Sequence, residues 1–482
     1  MSSVLKGGRL TATDKEVVKF ISSTEADRRI AQSSIQVNEA HVIALAKAKA
    51  IKQKDSKRLL RALRKLERKM IFRQGLEDVH VLIEEYVTRE CGRETGGLLH
   101  LGKSRNDQVS TAIRLSLREE MLNLSNQLLA FERSILQLAK RHTKSIFPGY
   151  THLQPAQPIT FAHYLIAFGD SILRDEQRVR EAFNRINNSP MGGGALAGTS
   201  FNIDRTIVAR LLGFNGLVEN SLDAVGSRDF VLDALSACSI TALDFSRFAQ
   251  DIIIYSSANV NLLEIPDEFS STSSIMPQKK NPDPLELLRA KCGGIIGNYN
   301  SSGIMLHALP SGYNLDFQEI TPLLWQSLDT LKSCLRILEG LVPKLKLRTY
   351  PESQLDLTVA TEIANILVRK MNFPFRIAHR SIGQAVRVAL ARKVMLRDLK
   401  QTDWERVVGR QLSSETLRAI HEALDLKKHL YTYRTIGSPN PNRTEQMIKH
   451  RTRKVESISK RNRLTQVELS RSLRTLRTIA DA

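Results

Sequence analysis

The sequence is poor in aromatic residues, glycine and proline. Its 482 residues include 6% aromatic residues, 25 glycines and 15 prolines. So few turn-forming residues argue against collagen-like, linker-dominated and turn-rich all-β proteins. The hydrophobic fraction of 42% suffices for a large core and excludes general disorder. We therefore expect a folded protein built mainly from long helices.

Cysteines and long apolar runs are also scarce. The four cysteines, at positions 91, 238, 292 and 334, form no CxxC pair, which argues against a disulfide framework and a cysteine-rich zinc site. The first residues, MSSVLKGGRL, lack the apolar stretch of a secretory signal, and no stretch of about 20 apolar residues is present to span a membrane. We expect a cytoplasmic protein with no membrane partner, and the sequence contains no cluster of metal ligands.

Acidic residues are too few to balance the basic ones. The net charge is +21, and 15 of these charges come from two segments: 51–73, with ten Lys or Arg and two acidic residues, and 441–482, with eleven and four. Such segments attract phosphates electrostatically. Neither segment interleaves aromatic residues or contains a groove-reading motif, so we favour solvated helix faces and predict no specific nucleic-acid partner.

Two apolar rows with helical spacing dominate the middle of the chain. In the segment that begins at Gln108, apolar residues step by alternating fours and threes, and a parallel row widens this seam to a broad face. The seam consists of Leu117, Met121, Leu124, Leu128, Phe131, Ile135 and Leu138, and the parallel row of Leu122, Leu129 and Leu136. A second helix with this rhythm is predicted from Val231 to Ile252. Faces this broad predict an all-α bundle of long helices.

Breaks rich in glycine, serine and proline interrupt the helical pattern. They lie at 96–106, 188–199 and 270–284, and further helices are predicted at about 160–187, 284–309 and 319–341. Long loops in a helical protein are usually functional or mobile. With boundaries near 103 and 350, the predicted domains are an N-terminal helical domain (1–103), a central long-helix bundle (104–350) and a C-terminal helical domain with a basic tail (351–482).

Polar side chains cluster at two points around the first long helix. At its start, Arg105 and Asn106 could grip a carboxylate with the help of the helix N-terminus, although an ordinary cap by Ser104 or Asp107 explains the same residues. After it, His152 lies in a segment whose two prolines exclude ordinary helix and predict an extended approach just before the next helix. Histidine is the commonest proton carrier, but a lone histidine in a loop is more often structural.

A third polar cluster fills the break at 270–284. Serines give way to Lys279, Lys280 and Asn281, ahead of a helix for which Asp283 is the predicted cap. Cations and an amide in this order suit an anionic substrate. The alternative is a mobile surface loop, because serine-rich stretches are commonly just that.

Taken together, the three clusters resemble the argininosuccinate lyases of the fumarase/aspartase superfamily. The segments that carry the resemblance are SRNDQ at 104–108, YTHLQPAQPI at 150–159 and SSIMPQKKNPD at 273–283. Further similar segments are EDVH at 77–80, GALAGTSFNIDR at 194–205, YNLDFQE at 313–319 and VATEIANILVRKMNFPFRIAH at 359–379. The resemblance implies a fumarase/aspartase-type bundle, a homotetramer whose active sites combine residues of different subunits, and no cofactor.

The resemblance also implies a reaction, the reversible elimination that splits argininosuccinate into arginine and fumarate. It assigns Ser273 as the base, and it assigns Lys279 and Asn281 to the developing aci-carboxylate. It makes His152 the acid-side or proton-relaying partner. Because an unassisted serine is a poor base, nearby cations or loop amides must lower its pKa.

Substrate-binding residues follow from the same resemblance. It assigns Arg105, Asn106 and Thr151 to the carboxylates on the fumarate side, and Tyr313 and Gln318 to the arginine portion. Bidentate pairing by arginine and hydrogen bonds from amides fit these tasks. A buried aromatic role for Tyr313 and a helix-start role for Gln318 are the alternatives.

Five residues depart from the family pattern. They are Asn38, Leu101, Lys103, Thr272 and Thr321, where serine, threonine, arginine, glycine and lysine are usual. Thr272 stands in a loop that has to close, and Thr321 bears on how the far carboxylate of the substrate is recognised. Two alternatives therefore stay open: another fumarate-releasing lyase of the superfamily, and a catalytically idle basic scaffold.

Overall fold

A computed structural model describes residues 14–68, 77–348, 351 and 355–481 of the chain. Its helices are α1 (Lys15–Phe20), α2 (Thr24–Asp27), α3 (Ala31–Lys47), α4 (Gln53–Glu67), α5 (Val79–Gly97), α6 (Arg105–Arg141), α7 (Phe161–Ile186), α8 (Arg205–Leu212), α9 (Ser221–Gly226), α10 (Asp229–Ser256), α11 (Asp283–Leu306), α12 (Phe317–Leu341), α13 (Ala360–Met371), α14 (Phe375–Arg392), α15 (Gln401–Val408), α16 (Ser414–Leu424), α17 (Leu426–His429) and α18 (Pro441–Asp481). The strands are β1 (Ile146–Thr151), β2 (Gln154–Thr160), β3 (Asn188–Ser189), β4 (Gly216–Leu217), β5 (Leu263–Glu264), β6 (Ser271–Thr272), β7 (Lys280–Asn281) and β8 (Lys346–Leu347).

The centre of the fold is a bundle of long helices. Helix α6 packs against α7, α7 against α10, α10 against α11 and α11 against α12. Every residue of the predicted seam of α6 and of its parallel row is buried. At the junction of three helices, the ring of Phe131 on α6 lies 5.9 Å from that of Phe168 on α7 and 6.1 Å from that of Phe245 on α10. The prediction of an all-α bundle is confirmed.

The described residues form two apolar clusters. The larger one contains residues between Ile30 and Leu345 and also residues of α18, from Ile448 to Ala480. The smaller one lies between Leu355 and Leu426 and surrounds the fully buried indole of Trp404. Helix α18 therefore returns to the large cluster, where it packs against α3, α4, α6 and α8. The predicted boundary at 350 falls outside the described residues, and the domain division stays a prediction.

Of two local predictions, one is confirmed and one is wrong. The segment after His152 is extended as predicted, because residues 154–160 form β2 and α7 begins directly after it at Phe161. The sequence did not indicate that β2 pairs with β1 in an antiparallel hairpin. Proline fits this hairpin because its short two-stranded sheet leaves edge positions without a partner. Asp283 is the first residue of α11 and not its cap, a position that Pro282 occupies. The basic segment 51–73 is described only up to residue 68, and 69–73 lie outside the described residues.

Candidate active site

A cavity brings three of the predicted site residues together. Arg105 enters it from the first turn of α6, Tyr313 from the loop before α12, and Gln318 from the first turn of α12. The other lining residues are Ser23, Ala26, Asp27, Asp78, His80, Val109, Ile113, Arg228, Phe317 and Thr321. The cavity thus lies where the starts of α5, α6 and α12 meet, and it is lined by both acidic and basic side chains.

Carboxylates surround Arg105 on one side of the cavity. Its Nη1 lies 3.0 Å from Glu77 Oε1 and 3.0 Å from Asp78 Oδ2. Asp78 caps α5 by accepting a hydrogen bond from the Val81 N–H, and burial raises the pKa of its carboxyl. Burial also raises the pKa of Asp27 to about 6. Arg105 is therefore held by acidic neighbours while it faces the cavity.

Two residues of the cavity that the sequence did not single out are a buried histidine and a buried arginine. Burial is the main cause that lowers the pKa of His80 to about 3, and the charge of Arg105 adds to it. The ring of His80 is therefore neutral. Among the described residues, neither ring nitrogen of His80 has a hydrogen-bond partner. The guanidinium of Arg228 lies 4.5 Å from the ring centre of Phe317 and 5.9 Å from that of Tyr313. His80 belongs to the EDVH segment of the family resemblance but was not itself predicted as a site residue, and no sequence pattern marked Arg228 for this cavity.

The start of α6 is held by a reciprocal cap that also fixes a neighbouring loop. Ser104 Oγ accepts from the Asn106 N–H, and Asp107 Oδ1 accepts from the Ser104 N–H at 3.0 Å. The other oxygen, Asp107 Oδ2, accepts from the N–H groups of Gly192 (3.0 Å) and Gly194 (2.9 Å). Both glycines have positive φ angles, of 87° and 62°, which other residues rarely adopt.

This cap leaves the side chain of Asn106 directed at the same loop. Its Nδ2 donates to the Ala195 carbonyl at 3.1 Å, and the residue is half-buried. The capping explanation of the SRND segment therefore holds for Ser104 and Asp107. It does not engage the side chain of Arg105, which points into the cavity.

His152 and Thr151 lie at the tip of the β1–β2 hairpin. The turn consists of His152 (φ 54°) and Leu153 (φ 57°), both in the left-handed region, as in the tight turns that match the twist of two strands. Thr151, His152 and Leu153 are exposed, and the side chain of Leu153 is 72% exposed. His152 is therefore exposed on the outside of a single chain, in a short turn.

Ser273, Lys279 and Asn281 lie on a second hairpin, formed by β6 and β7. Ser273 donates its N–H to the Lys279 carbonyl at 3.2 Å. Asn281, on β7, pairs with Ser271 on β6. Ser273 Oγ accepts from the N–H of Met276 at 3.2 Å and lies 3.5 Å from that of Ile275. Backbone donors directed at a hydroxyl oxygen favour its deprotonated form, because they stabilise the negative charge.

The other residues of this hairpin fix its shape. Lys280 donates to Asp267 Oδ1 at 2.6 Å and to the Ile265 carbonyl, so its ammonium is engaged at the base of the hairpin. Thr272 pairs with Lys280 in the β6–β7 ladder. A strand conformation suits a β-branched residue, so the threonine at this position needs no glycine-like backbone in this state.

Two of the five residues that depart from the family pattern contact each other. Lys103 is buried and donates a hydrogen bond from Nζ to Asn38 Oδ1. Asn38, fully buried on α3, in turn donates to the Ser34 carbonyl at 2.8 Å. Burial lowers the pKa of Lys103 to about 8. Lysine at 103 and asparagine at 38 therefore form one buried polar contact. Thr321, a third departure, lines the cavity itself.

The candidate residues fall into separate groups within one chain. Arg105, Tyr313 and Gln318 line the cavity, whereas none of Ser273, Lys279, Asn281, Thr151 and His152 is among its lining residues. Within the described ranges, no group of three or more His, Cys, Asp or Glu side chains is arranged to hold a metal ion. In the same part of the chain, no helix combines the length and the apolar character needed to cross a membrane.

Comparison with known proteins places these features in a family. The model of a family described as Lyase matches residues 8–297, and that described as Argininosuccinate lyase C-terminal matches residues 357–430. An argininosuccinate lyase of Methanosarcina mazei is 39% identical over 464 residues, which cover 95% of this chain and 94% of the relative. The argininosuccinate lyase of Methanothrix thermoacetophila is 41% identical over 465 residues, with the same coverage.

Solved structures agree on the fold. An EDDS lyase crystallised with formate superimposes with a TM-score of 0.86 at 24% identity, over 94% of this chain and 92% of that one. A class II fumarase from Schistosoma mansoni gives a TM-score of 0.69 at 19% identity, over 83% and 90% of the two chains. At these identities the structures establish the fold alone. With the cavity, the two hairpins and relatives aligned over nearly their whole length, the chain belongs to the argininosuccinate lyase family.

Proposed function

We propose that the chain is an argininosuccinate lyase, which splits argininosuccinate reversibly into arginine and fumarate. The names of its full-length relatives support this proposal, as does the charge of the cavity. Argininosuccinate carries a cationic guanidinium between anionic carboxylates, so a binding site for it has to present both signs of charge. The cavity presents both signs, because Arg105 and Arg228 are basic and Asp27 and Asp78 are acidic.

The cavity is the observation that carries the proposal. Tyr313 and Gln318 line the cavity and would contact the arginine portion. Arg105, which also lines it, would hold a carboxylate of the succinyl portion. Asn106, whose side chain contacts the neighbouring loop at Ala195, would hold a carboxylate as well. Arg105 has two hydrogen-bonding edges, so it can exchange one acidic neighbour for a substrate carboxylate. Thr151 would add a hydroxyl from the β1–β2 hairpin.

The chemistry requires a base, an acid and a site for negative charge. Ser273 Oγ would take the proton from the carbon beside a succinyl carboxylate, and Lys279 and Asn281 would stabilise the charge that this carboxylate gains. The bond between the neighbouring carbon and the guanidinium nitrogen then breaks. The electron pair leaves with the nitrogen, which is protonated with the help of His152, and the new double bond completes fumarate. The amides of the hairpin supply the assistance that the serine needs.

We further propose a homotetramer in which different subunits complete each site. The separation of the cavity from the two hairpins within one chain supports shared sites. Helix α11 supports the assembly, because residues 292–306 contain no charged side chain, yet Ile304 is 75% exposed and several glycines leave open space. On α10, Leu243 is 49% exposed. An uncharged, partly apolar helix surface suits contact with another copy of the chain. The enzyme would act in the cytoplasm, in arginine biosynthesis, without a cofactor.

Release of fumarate from argininosuccinate, followed by ultraviolet absorbance, tests the function. We expect turnover with argininosuccinate and none with adenylosuccinate, malate or aspartate. Ser273→Ala should lower kcat by at least about 100-fold, since a general base contributes roughly 100- to 10,000-fold. Ser274→Ala, on the next residue of the same hairpin, is the matched control and should keep activity.

Each other outcome contradicts part of the proposal. Turnover of a different succinyl-type substrate would favour another fumarate-releasing lyase, for which Thr321 in the cavity is the relevant departure. Turnover of none of the four would favour a catalytically idle scaffold. Full activity of Ser273→Ala would refute its role as the base, whatever the substrate. A monomer in light scattering would refute the shared site.

A further inference from the structure

Helix α18 is held on the bundle by its apolar side. The buried apolar residues of α18 are Ile448, Val455, Ile458, Leu469, Leu476 and Ala480. Asp170 on α7 also holds it, through two contacts of 2.7 Å with Arg451. Because these contacts fix the rotation of α18 about its axis, the direction of its outward side is fixed as well.

A row of basic side chains follows the outward side of α18. We define the basic stripe as Lys449, Arg453, Lys460, Arg471 and Arg474, all of which are exposed. With 3.6 residues per turn, these five positions fall within about 60° around the helix axis, and they extend over about 37 Å along it. The exposed side chains of Glu456 and Val467 fall in the same sector, so the stripe is predominantly and not exclusively basic. Among the described residues, none of the five forms an ion pair with a carboxylate.

The second basic segment of the sequence lies beside the end of this stripe. Helix α4 is joined to the end of α18 by Arg64, whose Nε lies 3.0 Å from Asp481 Oδ1, and by Arg477, which lies 3.5 Å from Glu67. Arg61, three residues before Arg64 and on the same side of α4, is exposed. Parts of the two segments with the largest excess of positive charge thus meet on one surface, where Asp481 and Glu67 pair with Arg64 and Arg477.

We propose that this surface binds the phosphate backbone of double-stranded nucleic acid without sequence preference. A straight stripe of about 37 Å matches roughly one turn of a duplex, in which each strand carries one phosphate per ~3.4 Å. Exposed guanidinium and ammonium groups without acidic partners bind phosphates and release the counterions of the duplex. A membrane surface fits less well, since the apolar side of α18 faces the protein core and leaves no continuous apolar face to enter lipid.

The salt dependence of duplex binding tests the proposal. The probe is a fluorescein-labelled DNA duplex of about 20 base pairs and random sequence, titrated with the full-length protein between about 50 and 200 mM salt. With five phosphates neutralised, the slope of log K against log salt should be about −4.5. The triple variant Lys449→Gln, Arg453→Gln and Lys460→Gln should reduce the magnitude of this slope by about 3.

A matched variant separates the stripe from net charge. Lys393→Gln, Lys427→Gln and Lys428→Gln remove the same charge at exposed positions of the C-terminal region, and they should leave the slope unchanged. Equal losses in both triple variants would overturn the proposal, as would salt-independent binding or capture of phosphatidylserine vesicles in place of the duplex. Dissociation of the oligomer in the stripe variant would instead assign the stripe to a subunit interface. Fumarate release by the stripe variant should equal that of the unmodified protein.

Discussion

Glu132, in the middle of α6, should make the stability of the protein depend on pH. Its side chain is fully buried, and among the described residues neither carboxyl oxygen has a hydrogen-bond partner. The carboxyl lies against the backbone of Gly169 on α7, where an added Cβ would come within 2.6 Å of Oε2. Burial is the main cause that raises the pKa of Glu132 to about 8, and the negative charge of Asp170 adds to it. Arg451 and Lys454 oppose this shift, but Arg451 is already paired with Asp170.

The size of the effect follows from the shift of this pKa from its usual value of 4.5 to about 8. Between these values the folded protein keeps a proton that the unfolded chain loses, so stability falls as pH rises. At ~1.4 kcal/mol per pKa unit, the loss at pH 7 relative to pH 4.5 is roughly 3 kcal/mol. Glu132→Gln keeps the shape of the protonated carboxyl and cannot ionise, so it should restore this stability at neutral pH.

Urea unfolding followed by circular dichroism at several pH values measures the difference between the two proteins. We expect Glu132→Gln and the unmodified protein to unfold at similar urea concentrations near pH 5. The variant should be more stable by roughly 3 kcal/mol near pH 7 and by more above pH 8. Glu445→Gln, at an exposed position of α18, is the control and should change little at any pH. A variant that is equally stabilised at all pH values, or destabilised at neutral pH, would refute the reasoning.

Two further predictions concern the start of α6. In Asp107→Asn, an amide N–H replaces one carboxylate oxygen and faces a backbone N–H of Ser104, Gly192 or Gly194, which then has no acceptor. The free energy of unfolding, measured by urea titration, should therefore fall by about 2 kcal/mol. An unchanged urea midpoint would contradict this prediction. Lys103→Arg forces a larger planar group into a buried contact with Asn38 and should cost about 1–3 kcal/mol. Combining it with Asn38→Ser should recover part of that loss, and strictly additive effects in the double-mutant cycle would disprove the coupling.

The long helices could be predicted from the sequence because each buries a broad apolar face with a clear period. The α6 seam and the α10 row are examples, since almost every predicted core position is buried. The hairpin around His152 could not be predicted in the same way. Its turn requires two non-glycine residues with positive φ, and nothing in local preference favours that conformation; pairing between the flanking strands imposes it.

The cavity shows a similar limit for the candidate site. Arg105, Tyr313 and Gln318 were recognisable because they stand in motifs, and the structure places them side by side. Arg228 and Asp27 also line the cavity, although neither belongs to a recognisable motif. Both are ordinary residues in sequence, and only the packing of α2, α10 and α12 removes their side chains from water and directs them to a shared space.

The position of α18 has a consequence for how a newly made chain reaches this fold. This helix supplies one wall of the large apolar cluster, against α3, α4, α6 and α8, although it is synthesised after all four of them. Until residues 441–481 have left the ribosome, that side of the earlier helices has no cover from α18. The exposed apolar surface favours aggregation during this interval, so we expect chaperones to act on the nascent chain.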